Sequence, residues 1–254
     1  MAKAKRPHRL EFYEHAVQQP QAEAAMLARM YESVNDGAPA ALLREDFAGT
    51  CSIAAAWCES HPERQAMAIE KHGPTLRWAQ RRHAPGNIDD LHFVEADVMD
   101  LASPTVDITA ALNFSTFIYH DEAELLAYFR HARKGLRPGG VFVMDLFGGP
   151  GAQRLGIQRR AAENFMYHWE QRAFDPVTHR LDARIHFTLP DGREIRSAFR
   201  YDWRLWTLPE TRRLLEKAGF SHVKLWAENR SGRINETKKL RGDEEWVAYW
   251  VAQR

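Results

Sequence analysis

Cysteine is nearly absent. The 254-residue chain has two, Cys51 and Cys58, too few for the disulfide framework that staples small secreted folds. They lie about two helical turns apart, which suits reduced thiols on a helix of a cytoplasmic protein. Net charge is nearly absent too. Its formal value is +1, so no long-range field recruits nucleic acid or an anionic membrane. No apolar run approaches the roughly 20 residues that span a bilayer, and the N-terminus lacks the apolar stretch of a secretory signal. No internal repeat or low-complexity tract occurs. What remains is a globular chain long enough for one large domain or a domain with an insertion. Lys3, Arg6 and Arg9 read as a solvated basic tail, with residues 1–8 disordered.

What is present is organised around Ala41-Leu42-Leu43-Arg44-Glu45-Asp46-Phe47-Ala48-Gly49-Thr50-Cys51. It reads as a short buried strand, a tight turn at Gly49 and the start of a helix at Ser52. Such a corner binds anions or nucleotides, because glycine lets the backbone approach the ligand and the helix N-terminus offers N–H groups. About twenty residues on, a second apolar run, Ala66 to Ile69, ends in Glu70 and then Lys71. An acid at the tip of the second strand suits two ribose hydroxyls.

Helix and strand signals alternate through residue 151. An aromatic-rich lead-in runs from Leu10 to Gln18, and Pro20 starts a helix that ends by Asn35-Asp36-Gly37. A helix begins at Gly73-Pro74-Thr75 and a third strand spans Leu91 to Glu95. The fourth strand is Val106 to Leu112, and Asn113, Ser115, Tyr119 and His120 leave its C-terminal end, where open α/β sheets place ligands. Asp121 and Glu124 are an acidic capping pair for the following helix. Leu136-Arg137-Pro138-Gly139-Gly140 is a turn before a fifth strand, Val141 to Phe147, and glycines at 148, 149 and 151 follow it.

Between residues 152 and 204 the alternation stops. Three antiparallel strands are expected, near 165–171, 181–187 and 194–201, joined by the turns Asp175-Pro176-Val177-Thr178 and Leu189-Pro190-Asp191-Gly192. Thr207 and Glu210 then form a capping box for a helix stopped by Gly219. Two strands follow, Phe220 to Trp226 and Glu245 to Ala252, with an exposed basic loop, Asn229 to Arg241, between them.

This order of features resembles the class I S-adenosylmethionine (SAM)-dependent methyltransferases. Their first motif usually reads acid-x-Gly-x-Gly-x-Gly. With Gly49 as the middle glycine, Glu45 takes the acid position, while Phe47 and Cys51 stand where glycines are usual. The Glu-Asp-Phe-Ala-Gly-Thr form is similar to a bacterial and plant branch with Glu-Asp-Phe-Cys-Gly-Thr. The turn at Leu136–Gly140 is also a frequent feature of the family.

The resemblance implies a Rossmann-like α/β fold with seven strands ordered 3-2-1-4-5-7-6, strand 7 antiparallel, plus the antiparallel β insertion. It implies SAM as cofactor, held by Glu45, Phe47, Ala48, Gly49, Glu70 and Lys71, with Asp97 and Val98 at the adenine and Asn113 and Ser115 near the fourth strand. As a bare residue Asp97 also suits a helix N-cap, and the two roles are compatible. Tyr13 and Gln18 are lid residues if the N-terminal segment folds over the cofactor; a packed N-terminal helix is the alternative. Tyr119 and His120 border the reacting atoms. Asp145, Gly148, Trp169, Arg200, Trp203 and Arg204 are expected to face the acceptor, with the insertion closing over the crevice as an aromatic wall beside arginine; a small aromatic core with surface arginines is the alternative for the insertion.

The expected division is 1–34 as lid, 35–151 as SAM-binding core, 152–204 as cap and 205–254 as the end of the core. Methyl transfer from a sulfonium is an in-line displacement that needs alignment and dryness more than a catalytic triad. The expected acceptor is a small molecule, with no metal, membrane or nucleic acid involved. Three other readings stay open. A nicotinamide dehydrogenase would want more glycines in the first corner. A nucleic-acid or protein methyltransferase would be expected to carry Asp/Asn-Pro-Pro-aromatic, Pro-Cys or a basic face. A non-catalytic SAM-fold protein would fit the altered glycines.

Overall fold

A computed structural model describes residues 8–86, 89–101, 105–240, 242 and 245–254. Lys3, Arg6 and most of the expected basic tail lie outside these residues, as does Arg241. In chain order the elements are α1 (Arg9–Val17), α2 (Pro20–Glu32), β1 (Leu42–Glu45), α3 (Ser52–Glu59), β2 (Gln65–Ile69), α4 (Gly73–His83), β3 (Leu91–Val94) and β4 (Val106–Ala111). There follow α5 (Glu122–Lys134), β5 (Leu136–Gly148), β6 (Gly156–Ala161), β7 (Met166–Asp175), β8 (Arg180–Thr188) and β9 (Glu194–Arg204). The chain closes with α6 (Leu208–Lys217), β10 (Ser221–Glu228), β11 (Ile234–Glu236) and β12 (Trp246–Gln253).

The chain folds as two compact units. One contains Pro20–Ala152 and Leu205–Arg254; the other joins the N-terminal residues up to Gln19 to Gln153–Arg204. The segment 1–34 is thus divided, α1 belonging to one unit and α2 to the other.

The first unit is built on an eight-stranded sheet ordered β11-β10-β12-β5-β4-β1-β2-β3. Strands β1 to β5 pair in parallel, and β12 runs antiparallel to both β5 and β10. With β10 and β12 as the sixth and seventh strands, this is the expected order, extended by β11 at one edge. Parallel strands buried on both faces are mostly apolar, and every residue of β4 is buried, Asp107 and Thr109 included. Along β5, Val141 and Val143 join the core packed by α2 and α3. Phe142 faces the other way, 5.6 Å from Phe129 and 5.8 Å from Phe220 between ring centroids.

The Arg137–Gly140 turn survives as an excursion within β5. Val106 pairs with Leu136 and Ile108 with Val141, so the residues between bulge out of register. Gly139 has φ +79°, and a Cβ on Gly140 would lie 2.9 Å from the Arg137 carbonyl oxygen. Asp107 anchors this end of the sheet. One of its oxygens accepts from the backbone N–H groups of Ala41 and Leu42 at 2.9 and 2.8 Å, and the other pairs with Arg137.

The second unit is a four-stranded antiparallel sheet, β6-β7-β8-β9, packed against α1. Three strands are expected from the sequence; β6 is the addition. The lead-in from Leu10 to Gln18 is a helix, N-capped by His8, whose Nδ1 accepts from the backbone of Leu10. His8 thus caps α1 rather than belonging to a disordered tail. Phe12 packs edge-on to Phe165 at 4.9 Å and lies 5.4 Å from Phe187. One further expectation fails: Asp121 stands at the N-cap of α5, but its side chain makes no capping hydrogen bond.

Candidate functional site

The parallel strands diverge from one point. The chain winds from β1 to β2 and β3 in one direction and through β4 to β5 in the other. Open α/β sheets hold ligands at the C-terminal ends of the strands flanking such a switch point. Here the β1–α3 corner sits at that point, pinned on both sides. The backbone N–H of Asp46 donates to Ala110 of β4 at 2.8 Å, and that of Ala48 to Ile69 of β2 at 2.8 Å.

Three alternate residues of the corner have left-handed backbones: Phe47 at φ 56°, Gly49 at 53° and Cys51 at 57°. Only glycine adopts this region without a steric cost of about 1–2 kcal/mol. These are the three positions that carry glycine in the motif the sequence resembles. The corner thus holds two side-chain-bearing residues and one glycine in a backbone region that favours glycine. The Phe47 ring is held 5.5 Å from Tyr128 and 6.3 Å from Tyr119. Cys51 is fully buried at the N-cap of α3 without capping it through its side chain.

The acids around the corner divide by role. Glu45 is buried, and its Oε2 accepts from the backbone N–H of Ala54 in the first turn of α3 at 2.9 Å. Burial pushes its carboxyl up to about 8, against the Ala54 hydrogen bond, and the nearby carboxylates of Glu23, Asp46 and Glu70 add to the rise. Glu70, at the tip of β2, is half-buried. Its Oε2 accepts from Gly49 N–H at 3.0 Å and its Oε1 from His72 N–H at 2.7 Å. The structure thus brings together Gly49 and Glu70, the two residues singled out first in the sequence. A Cβ on Gly49 would meet only the Phe47 carbonyl oxygen, at 3.9 Å, so its open side is free for a close approach.

Asp97 follows β3, with its Oδ1 accepting from Met99 N–H at 3.0 Å and its Oδ2 lying 3.5 Å from Lys71 Nζ. Val98 beside it is buried. Past β4, Asn113 and Phe114 are consecutive left-handed residues, at φ 58° and 59°. Their N–H groups donate to Asp145 at 2.9 and 2.7 Å. Burial raises the Asp145 carboxyl to about 7, although these hydrogen bonds oppose the shift. Ser115 turns its hydroxyl onto the Leu112 carbonyl at 2.6 Å. Tyr119 stacks on Tyr128 at 5.2 Å, and burial with the charges of Asp97 and Asp46 pushes its phenol up. His120 is half-buried next in the chain.

Gly148, expected to face the acceptor, instead makes room for a side chain, as does Gly151 beyond it. A Cβ on Gly148 would come within 2.2 Å of the Trp246 indole, and one on Gly151 within 1.7 Å of the Glu245 carboxylate. The remaining residues expected at the ligand lie in the second unit. Tyr13 packs 4.9 Å from Phe199, and Gln18 is the buried C-cap of α1. Trp169, Tyr201 and Trp203 form one aromatic cluster, with centroid separations of 4.2 to 5.9 Å. Arg200 and Arg204 alternate with Tyr201 and Trp203 along β9, so they point to the opposite face of the sheet, away from the aromatic wall.

The sequence reading passed over a buried network beside the corner. Arg44 Nε donates to Asp46 Oδ1 at 2.6 Å, and its Nη2 to the Val98 carbonyl at 3.0 Å. Tyr128 donates to Asp46 Oδ2 at 2.9 Å. Opposite charges two residues apart at the end of a buried strand share a side of the chain, and that spacing is the signal by which sequence could have found them.

No family model matches this sequence, and no curated protein matches it. Solved structures do. A SAM-dependent methyltransferase from Clostridium acetobutylicum superposes with a TM-score of 0.74 over 96% of each chain, at 14% identity. An amino pentose methyltransferase from Micromonospora echinaspora, involved in calicheamicin biosynthesis and solved with SAM bound, gives 0.70 over 100% of each chain at 18% identity. A sugar N-methyltransferase from Streptoalloteichus gives 0.66 over 100% of this chain and 96% of that one at 20% identity. At these identities the likeness is one of fold: the chain has the α/β fold of class I SAM-dependent methyltransferases.

Proposed function

We propose that the protein is a SAM-dependent methyltransferase acting on a small-molecule acceptor, within the branch marked by Glu-Asp-Phe-(Ala/Cys)-Gly-Thr. The observation that carries this reading is the left-handed backbone at 47, 49 and 51, the three positions where the motif that the sequence resembles has glycine. In this reading Gly49 lets the backbone approach the cofactor. Glu70 exchanges its hydrogen bond with Gly49 for the ribose hydroxyls. Asp97 and Val98 take the adenine, Glu45 holds the first turn of α3 in place, and Phe47, Ala48, Lys71, Asn113 and Ser115 line the remainder.

Bound SAM supplies a methyl group activated on its sulfonium. The chain's own task is to hold an acceptor in line and exclude water. Tyr119 and His120 flank the acceptor, Asp145 fixes the turn at Asn113 and Phe114 that precedes them, and the aromatic face of the inserted sheet, with Trp169 and Trp203, is offered for selecting the acceptor. Two of the fold neighbours are an amino pentose methyltransferase and a sugar N-methyltransferase, so amino sugars are the first acceptors to test. Both free cysteines are buried, which agrees with a cytoplasmic setting.

Calorimetric titration with SAM tests the reading, followed by a labelled-methyl screen over pooled amino sugars and other metabolites. Saturable binding and a labelled product are expected. Glu70→Ala should weaken SAM binding by about 1.5–3 kcal/mol, the value of a hydrogen bond to a charged group. Absence of SAM binding would leave a protein that uses this fold for another partner, and binding without transfer would leave a SAM-binding protein.

A further inference from the structure

We propose that Arg44, Asp46 and Tyr128 are positioning residues that set the Asp97–Val98 loop for recognition of the purine base; this rests on the methyltransferase reading above. Arg44 is 1% exposed, an uncommon place for a guanidinium. It runs from the end of β1 to the loop after β3 and grips that loop by a main-chain atom, the Val98 carbonyl, at 3.0 Å. A guanidinium presents several donors in a rigid plane. With Nε committed to Asp46 and Nη2 to Val98, the plane of Arg44 is fixed by both ends.

Asp46 cannot rotate away. Its second oxygen accepts from Tyr128 at 2.9 Å. Burial and the adjacent Asp46 carboxylate push the Tyr128 phenol up, so it stays a hydrogen-bond donor. The Tyr128 ring is wedged between Phe47, Tyr119 and Phe142 at 5.2 to 5.9 Å. The network thus ties three segments together: α5, the strand before the glycine corner, and the Asp97–Val98 loop. Asp97 is itself half-exposed, and its Oδ1 already holds Met99 N–H. Its Oδ2 lies 3.5 Å from the exposed Lys71 Nζ, and in this proposal the hold of Arg44 on Val98 fixes the backbone from which that oxygen meets the base.

Removing Arg44 leaves a buried carboxylate without its partner and threatens the fold, so Tyr128→Phe is the principal variant. It keeps the ring and deletes one hydroxyl. The probes are S-adenosylhomocysteine and S-inosylhomocysteine, which differ at the base position where an amino group becomes a carbonyl. The wild type should prefer the adenosyl compound by about tenfold or more, since a carboxylate accepts from an amino group and repels a carbonyl. Tyr128→Phe should bring that preference below about threefold while circular dichroism reports an intact fold. Loss of melting temperature with the preference unchanged would reduce the network to a structural role and overturn the inference. Equal binding of both probes by the wild type would also overturn it, while leaving SAM binding in place. Failure of the wild type to bind either probe would remove the methyltransferase reading and this inference together.

Discussion

Asp145 on β5 accepts a hydrogen bond from the backbone N–H of Phe114 at 2.7 Å, across the gap between two neighbouring strand ends. Its other oxygen accepts from Asn113 at 2.9 Å. A single carboxylate therefore stabilises two consecutive residues in a backbone region that non-glycine residues avoid. An amide in its place can accept only one of the two bonds. Asp145→Asn is expected to lose about 1–3 kcal/mol of stability, the cost of a buried donor left without a partner. The urea midpoint measures this, and an unmoved midpoint would mean that the turn holds itself.

Gly49→Ala separates strain from ligand contact. The added methyl has space, with its nearest neighbour at 3.9 Å, but φ is +53°. Strain alone predicts a stability loss of about 1–2 kcal/mol. SAM affinity should fall further, by about tenfold or more, because the methyl stands on the open side of the corner. A variant that is only destabilised and binds SAM normally would place the ligand elsewhere.

The pH dependence of stability should show the buried acids. The folded-state pKa of Glu45 is raised from 4.5 to about 8. A raised acid stabilises the fold fully below its unfolded pKa, and that contribution is lost as pH rises through the folded value. Between pH 4.5 and 8, stability should therefore fall with rising pH, by at most about 1.4 kcal/mol for each pH unit crossed. Glu45→Gln keeps an acceptor for Ala54 and cannot ionise. Its melting temperature should decline less than the wild type's over this window; superimposable profiles would show that Glu45 does not titrate there.

Gly148 and Trp246 are paired across β5 and β12, and the indole occupies the space a side chain at 148 would need. Gly148→Ala should cost about 1–3 kcal/mol through overpacking. Most of that cost should vanish when the same change is made in a Trp246→Ala background, a coupling that a double-mutant cycle reads directly. Additive losses would mean that the indole swings aside freely.

The elements of the sheet were legible where burial dictates composition. β4 and the Val141–Leu146 stretch of β5 are mostly apolar because both of their faces are covered, Asp107, Thr109 and Asp145 being the buried polar exceptions. β6 could not be read this way. Gly156, Gln158, Arg159 and Arg160 are exposed along an edge, so neither alternation nor a buried run marks them. β11 is a short edge strand with the same problem. α1 was obscured by its cap, since His8 stands where serine, threonine, asparagine or aspartate usually announces a helix.

In the candidate site, the corner and the acid opposite it were legible because each follows a strand at a fixed spacing. The backbone commitments were not. No spacing rule reveals that Asp145 turns to Asn113 and Phe114, that Glu45 serves Ala54, or that the glycines at 148 and 151 make room for Trp246 and Glu245. Those depend on register between strands far apart in sequence.

The interleaving of the second unit sets a timetable for biosynthesis. Arg9 at the start of α1 donates to the carbonyl of Ala198, 189 residues later. At about 5–20 residues per second, α1 emerges roughly 10–40 s before that partner is made. Phe12 must remain unburied for nearly as long, since Phe165 and Phe187 also arrive late. A helix of nine residues has little stability of its own in water. A segment made well before its partners is therefore among the last to acquire its fold, and an exposed phenylalanine on a nascent chain is a surface that chaperones recognise and aggregates recruit.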